Sequence, residues 1–256
     1  MTSPCSLHPF PRKRLRLRRV LATLPYLAVI AIWLIAVPGA AAQGHWQVVL
    51  AAGDDEQPVF DNAVRAMAQF LARHGVPAAD IHRLSAAPVR GTAPSTRAEI
   101  TRRIATLPVG PGDRCLVFIT SHGEHGGGVY LAADDDDLGP AALARALNGN
   151  CAAVPTVVIV SACYSGSFAA APMTAPNRVI LTAARADRPS FGCQADRVYT
   201  VYDECLLAAL PRVRDWEAAY RATTVCVTRH EQAWRVAPSY PQAWFGAATR
   251  LIPLWF

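Results

Sequence analysis

Two short apolar runs constrain this chain more than any other feature. One is Leu116-Val-Phe-Ile-Thr-Ser-His-Gly123 and the other Val157-Val-Ile-Val-Ser-Ala-Cys-Tyr-Ser-Gly166. Each is rich in β-branched residues and has no polar alternation, the pattern of a strand buried on both faces of a sheet. Each ends abruptly in a reactive side chain and a glycine-containing turn. In an open parallel sheet the carboxyl ends of the strands are where ligands gather. Strands that pair directly lie ~5 Å apart, so a His and a Cys could be delivered to one rim.

The rest of the chain fits such a sheet. Trp46–Ala51 and Ile81–Leu84 read as further strands, and Arg178–Thr182 as the strand after the Cys run. Phe60–Arg73 carries Val64, Met67, Ala68 and Leu71 at helical spacing and stops at His74-Gly75. Ser95-Thr-Arg-Ala-Glu99 opens a helix running to about Leu107, with a hydroxyl cap and an early Glu. Gly126–Gly128 reads as a hairpin bend leading to Val129-Tyr-Leu131, and Pro140–Leu147 as a short helix with proline in its first turn. Tyr202–Leu210 and Trp216–Trp234 read as helices before a proline-containing tail. Strands alternating with helices predict a three-layer α/β/α sandwich with a mainly parallel sheet, formed by one domain over residues 43–256.

Residues 1–42 read differently. Six of the 25 Lys and Arg residues lie between Arg12 and Arg19, ahead of the apolar stretch Val20–Val37. Pro38-Gly39 and Ala40-Ala41-Ala42 follow, which suits a signal peptide cut before Gln43. The stretch is also nearly long enough to serve as an uncleaved membrane anchor. Either way the basic flank places the domain outside the cytoplasm, in the periplasm or tethered to the membrane. Without the leader the chain has 19 basic and 19 acidic residues. With no basic face and no aromatic RNA-binding signature, nucleic acid is not an expected partner. Of the seven cysteines, Cys5 leaves with the leader. Once Cys163 is set aside as reactive, five remain; export permits disulfides, and at least one thiol stays free.

The chemistry centres on Cys163 and His122. A thiol must lose its proton to attack a carbonyl, and an imidazole that titrates near neutrality can accept it. Gly123 leaves its amide open to a substrate oxyanion, and the Cys163 amide is a natural second donor. A buried Cys alone is commonly an inert core thiol, and a loop His alone is commonly a hydrogen-bonded surface group. Their joint occurrence at two strand ends, each followed by glycine, favours catalysis. Other constellations are weaker. His122-x-x-His125 beside Asp134–Asp137 lacks further ligands at zinc spacing, and the aspartates lack the pattern of a calcium loop. The aspartates read instead as a solvated acidic loop on the cleft rim, so no metal or organic cofactor is expected. Ser161, Ser165 and Ser167 form no nucleophile elbow, and no Cys-x-x-Cys suggests a thiol oxidoreductase.

Ile119-Thr-Ser-His-Gly123 and Ser161-Ala-Cys-Tyr-Ser-Gly166 resemble the two signatures of the legumain family of caspase-clan cysteine peptidases. That family includes asparaginyl endopeptidase and the catalytic subunit of the GPI-anchor transamidase. Leu181–Gly192 resembles the family's stretch after the next strand, and the short C-terminal part resembles the bacterial branch. The resemblance implies a caspase-like fold, His122 and Cys163 as the catalytic pair, Gly123 in the oxyanion hole and Ser190 in the specificity pocket. It implies a cysteine endopeptidase acting on peptide or protein substrates through an acyl-enzyme, with transpeptidation where an amine replaces water. Three departures matter. The family's Asn-Tyr-Arg-His falls near Val59-Phe60-Asp61-Asn62, leaving Asp61 and Asn62 as candidates to touch His122 or substrate. The acidic pocket residue two before the nucleophile is Ser161, and Pro189 replaces a pocket serine. A preference other than asparagine before the scissile bond follows. The rival reading is a catalytically silent peptide-binding protein of the envelope. The sequence leaves the oligomeric state open.

Overall fold

A computed structural model describes residues 44–194, 196–249 and 252–254. The expected leader and anchor lie outside the described residues. The elements in chain order are β1 (Trp46–Ala52), α1 (Val59–Arg73), β2 (Ile81–Ser85), β3 (Ala93–Pro94), α2 (Arg97–Ala105), β4 (Arg114–Thr120), β5 (Val129–Leu131) and β6 (Asp136–Leu138). There follow α3 (Pro140–Leu147), β7 (Thr156–Ser161), β8 (Arg178–Thr182), α4 (Val201–Ala209), α5 (Trp216–Trp234) and β9 (Gln242–Phe245).

Seven strands form one sheet in the order β3-β2-β1-β4-β7-β8-β9, all parallel except β9, which runs antiparallel to β8. The chain builds outward from β1 to β2 and β3, then returns and builds the other way through β4, β7 and β8. The reversal of strand order therefore falls between β1 and β4, where doubly wound sheets open a crevice at their carboxyl ends.

Alternate strand residues supply two separate cores. Trp46, Val48, Leu50, Leu116, Phe118 and Ile159 pack against α1, α4 and α5 on one face. Val49, Ala51, Val117, Ile119, Val158 and Val160 pack against α2 and α3 on the other. Burial of every residue of β1, β7 and β8 is what an all-apolar run dictates when helices cover both faces. The fold is the expected three-layer, mainly parallel, caspase-like sandwich.

Two elements depart from the sequence reading. Gln242–Phe245, read as tail, adds the antiparallel edge strand β9; its short polar-to-aromatic run carries little strand signal. The acidic run is not a solvated loop throughout, since Asp136–Leu138 pairs with Val129–Leu131 as a small antiparallel hairpin. Asp136 holds the Arg97 guanidinium at 2.8 Å, and Asp134 accepts from the Arg97 N–H. These carboxylates therefore anchor the start of α2.

Disulfides brace each helical layer. Cys115–Cys151 joins β4 to the turn before β7, and Cys205–Cys226 joins α4 to α5. Cys163 and Cys193 are free, in line with the expectation of at least one unpaired thiol besides Cys163.

Candidate active site

Thr120 is paired with Ser161 in the β4–β7 register. His122 and Cys163 each stand two residues beyond that pair, on adjacent strand ends. Ser121 N–H donates to Ser161 O at 3.2 Å, carrying the pairing one step past the strands. Gly123 then lies against the Cys163 backbone so closely that a Cβ there would come within 2.0 Å of the Cys163 carbonyl oxygen. No other residue permits that approach. Tyr164, in the left-handed region at φ 56°, turns the chain after Cys163. Gly166 tucks that turn under the chain after β8, where a Cβ would meet the Ala186 nitrogen at 2.4 Å.

Gly123 also bridges Val129 of the hairpin. The bonds of that bridge run from Tyr130 N–H to His122 O and from Glu124 N–H to Gly128 O. Alternation along an antiparallel pair then directs the Gly123 amide away from the hairpin.

His122 and Cys163 line a single narrow cleft together with Ser161, Ser190, Cys193 and Phe60. The Cys163 sulfur accepts a hydrogen bond from Ser190 N–H at 3.2 Å. Burial nonetheless pushes the Cys163 thiol above its ordinary pKa, with the Ser190 amide pulling the other way. The imidazole of His122 is hydrogen-bonded to the thiol of Cys193. That bond raises the His122 pKa and lowers that of Cys193; the negative charges of Asp54 and Glu56 push His122 further in the same direction. Phe60 packs edge-on against His122, with ring centroids 5.2 Å apart.

Ser161 and Ser190, expected near the substrate, are both in the cleft wall. Asp61 and Asn62 are not. Asp61 accepts from Ser85 Oγ at 3.0 Å, and Asn62 donates to Val198 O and accepts from Arg65. Helix α1 begins at Val59, so one turn of helix points these two residues past the cleft and gives Phe60 the contact with His122.

Four contributors were missed by sequence reasoning. Cys193 was counted only among the possible disulfide partners, yet the loop after β8 folds back over the cleft and brings it to His122. Asp203, on the first turn of α4, is fully buried beneath the cleft floor and accepts from Thr120 Oγ1 at 2.7 Å. Burial raises its pKa to about 6, against the pull of the Thr120, Ser161 and Thr200 hydroxyls. Asp54 and Glu56, after β1, have carboxylate oxygens within 4.8 Å of a ring nitrogen of His122 and of each other, a set able to hold a cation. A charged pair after a strand was the available signal for these last two, but it has meaning only once β1 is known to neighbour β4. The other histidine of the His-x-x-His pair, His125, stacks on Tyr164 at 4.1 Å between centroids.

A thiol, an imidazole and a free glycine amide at adjacent strand ends of an α/β/α sandwich define the class of cysteine hydrolases built on a caspase-like frame. A model of the Peptidase C13 family matches residues 95–228. The chain belongs to that family, the legumain family of cysteine peptidases. The matched segment runs from the start of α2 into α5 and includes both strand ends of the cleft. No curated protein matches the sequence.

Proposed function

We propose that this cysteine peptidase is an endopeptidase working through a Cys163–His122 dyad and a thioester acyl-enzyme. The observation that carries the reading is the shared cleft, lined by a free thiol and an imidazole, with Gly123 packed against the Cys163 backbone beside it. The Cys163 proton passes to His122 as sulfur attacks the scissile carbonyl. The oxyanion is met by the amides of Gly123 and Cys163. The carbon–nitrogen bond then breaks, and His122 gives its proton to the departing amine. Water attacks the thioester, losing a proton to His122, and the Cys163 thiolate leaves. An amine in place of that water would yield a new peptide bond. In the resting state His122 is held by Cys193, so the imidazole exchanges that partner for the reacting atoms when substrate enters. Catalytic hydrogen bonds commonly tighten only in the substrate complex.

The pocket beside the nucleophile supports a small or polar residue before the scissile bond. Its floor is Ser161 and Thr200 over the buried Asp203, and Ser190 closes one side. The two disulfides support maturation in an oxidising compartment outside the cytoplasm.

A second reading, peptide binding without turnover, draws on one observation: in this structure His122 pairs with Cys193 rather than with the less ionisable Cys163. Quenched fluorescent peptides separate the two. The endopeptidase reading expects turnover under reducing conditions that Cys163→Ala abolishes; binding to the same peptides with no turnover at any pH favours the silent protein.

A further inference from the structure

The cleft has a second half on the other side of His122. Asp54, Asp55, Glu56 and Glu124 line a depression there with His122 and Tyr130. No Lys or Arg lines it, and none of these four carboxylates is in an ion pair among the described residues. It lies where the order of strands reverses between β1 and β4, the crevice in which doubly wound sheets hold ligands.

The depression is built into the fold. Gly53 N–H donates to Thr120 O at 3.0 Å, and Ala132 N–H donates to Gly53 O at 2.8 Å, which lashes the loop after β1 to β4 and to the hairpin. Asp54 is only 2% exposed. One of its oxygens accepts from Glu56 N–H at 2.8 Å; the other forms no hydrogen bond among the described residues, and the residue lines the depression. A carboxylate held in a nearly buried position with one open acceptor is placed to receive a donor from a ligand.

Sheet order fixes what that donor is. From β1 through β4 and β7 to β8, the rim presents the acidic loop, His122, Cys163 and then the Ser190 amide on the sulfur. A proton from His122 can reach the leaving nitrogen only if the leaving half of the substrate lies on the His122 side of Cys163. That half then runs over the acidic depression. We propose that this depression is a subsite for a cationic side chain just after the scissile bond, so that the enzyme selects Lys or Arg there; this rests on the peptidase reading above. Asp54 and Glu56 receive the ammonium or guanidinium, and Asp55 and Glu124 set the field that draws it in.

The test is a quenched peptide library randomised at the residue following the cleaved bond, read as kcat/KM with a chelator present. Lys and Arg are expected to exceed Asp and Glu by about tenfold or more at low ionic strength, with the ratio falling in salt. Asp55→Asn with Glu56→Gln, both exposed positions, is expected to flatten the ratio. A parallel arm measures anisotropy of labelled Lys- and Asp-containing peptides on Cys163→Ala protein. Equal cleavage of basic and acidic members, or a ratio untouched by the double variant, overturns the subsite. If nothing is cleaved but the binding arm still favours the basic peptide, the peptidase reading falls and the depression stands only as a site that binds cationic side chains. If neither arm shows a preference, the subsite falls.

Discussion

The two free thiols of the cleft sit in opposite surroundings. Cys163 ends a central strand and is held by the Ser190 amide, and burial keeps it protonated. Cys193 sits on the loop after β8 with His122 as its partner, and its pKa is lowered. Ionisation alone would name Cys193 the better nucleophile at rest. On the proposed reading position favours Cys163, because the Gly123 backbone lies against its own. The contrast teaches that a nucleophile is chosen by where the transition state is stabilised, and that resting thiolate character is a separate property.

The sharpest way to break the contrast is truncation of each thiol in turn. Cys163→Ala should cut kcat/KM by about 10⁴-fold or more, and Cys193→Ala by no more than about tenfold. The reverse order would transfer the nucleophile to Cys193. Gly123→Ala comes next. Its methyl group would be driven into the Cys163 carbonyl, so about 10²–10³-fold of kcat should be lost as the oxyanion site is displaced. Near-normal kcat would show that the Gly123 amide plays no part.

Asp203 sharpens the comparison from below, because it binds Thr120 of the His122 strand and Ser161 of the Cys163 strand at once. Its folded pKa of about 6 exceeds the ordinary 3.8. Its stabilising share is therefore fully present below pH 3.8 and is lost as pH rises through about 6. Relative to Asp203→Asn, the wild type should lose up to about 3 kcal/mol of unfolding free energy between those limits. Chemical denaturation at pH 4 and pH 7 measures it, and parallel pH profiles for the two proteins would contradict it. The smallest effect separates ionisation from placement. At neutral pH a small alkylating agent should modify Cys193 faster than Cys163, as peptide mapping would read. Equal rates would mean that His122 does not hold the Cys193 thiol in solution.

Much of the frame could be read from residues. The all-apolar runs 116–119 and 157–160 fit central strands, and the helix Pro140–Leu147 and strand Arg178–Thr182 match their expected limits. His122 and Cys163 were legible because strand ends in such sheets are equivalent places. What escaped depends on strand order and loop return. Nothing local in Gly53-Asp54-Asp55-Glu56 says that β1 lies beside β4, and nothing around Cys193 says that its loop doubles back on His122. Asp61 and Asn62 were misjudged for a related reason: the start of α1 sets which residue faces the cleft, and there it is Phe60. Nothing local marks Asp203 either, since an acid in the first turn of α4 after a Thr200 cap already has a sufficient local explanation.

The central claim is that Cys163, assisted by His122, is the sulfur that bonds to substrate. Intact mass followed by peptide mapping, after incubation with a peptide bearing a carbonyl-directed electrophile, tests it in one step. The account predicts a single adduct on Cys163, formed far more slowly in His122→Ala. An adduct on Cys193, or none on either thiol under reducing conditions, would contradict it.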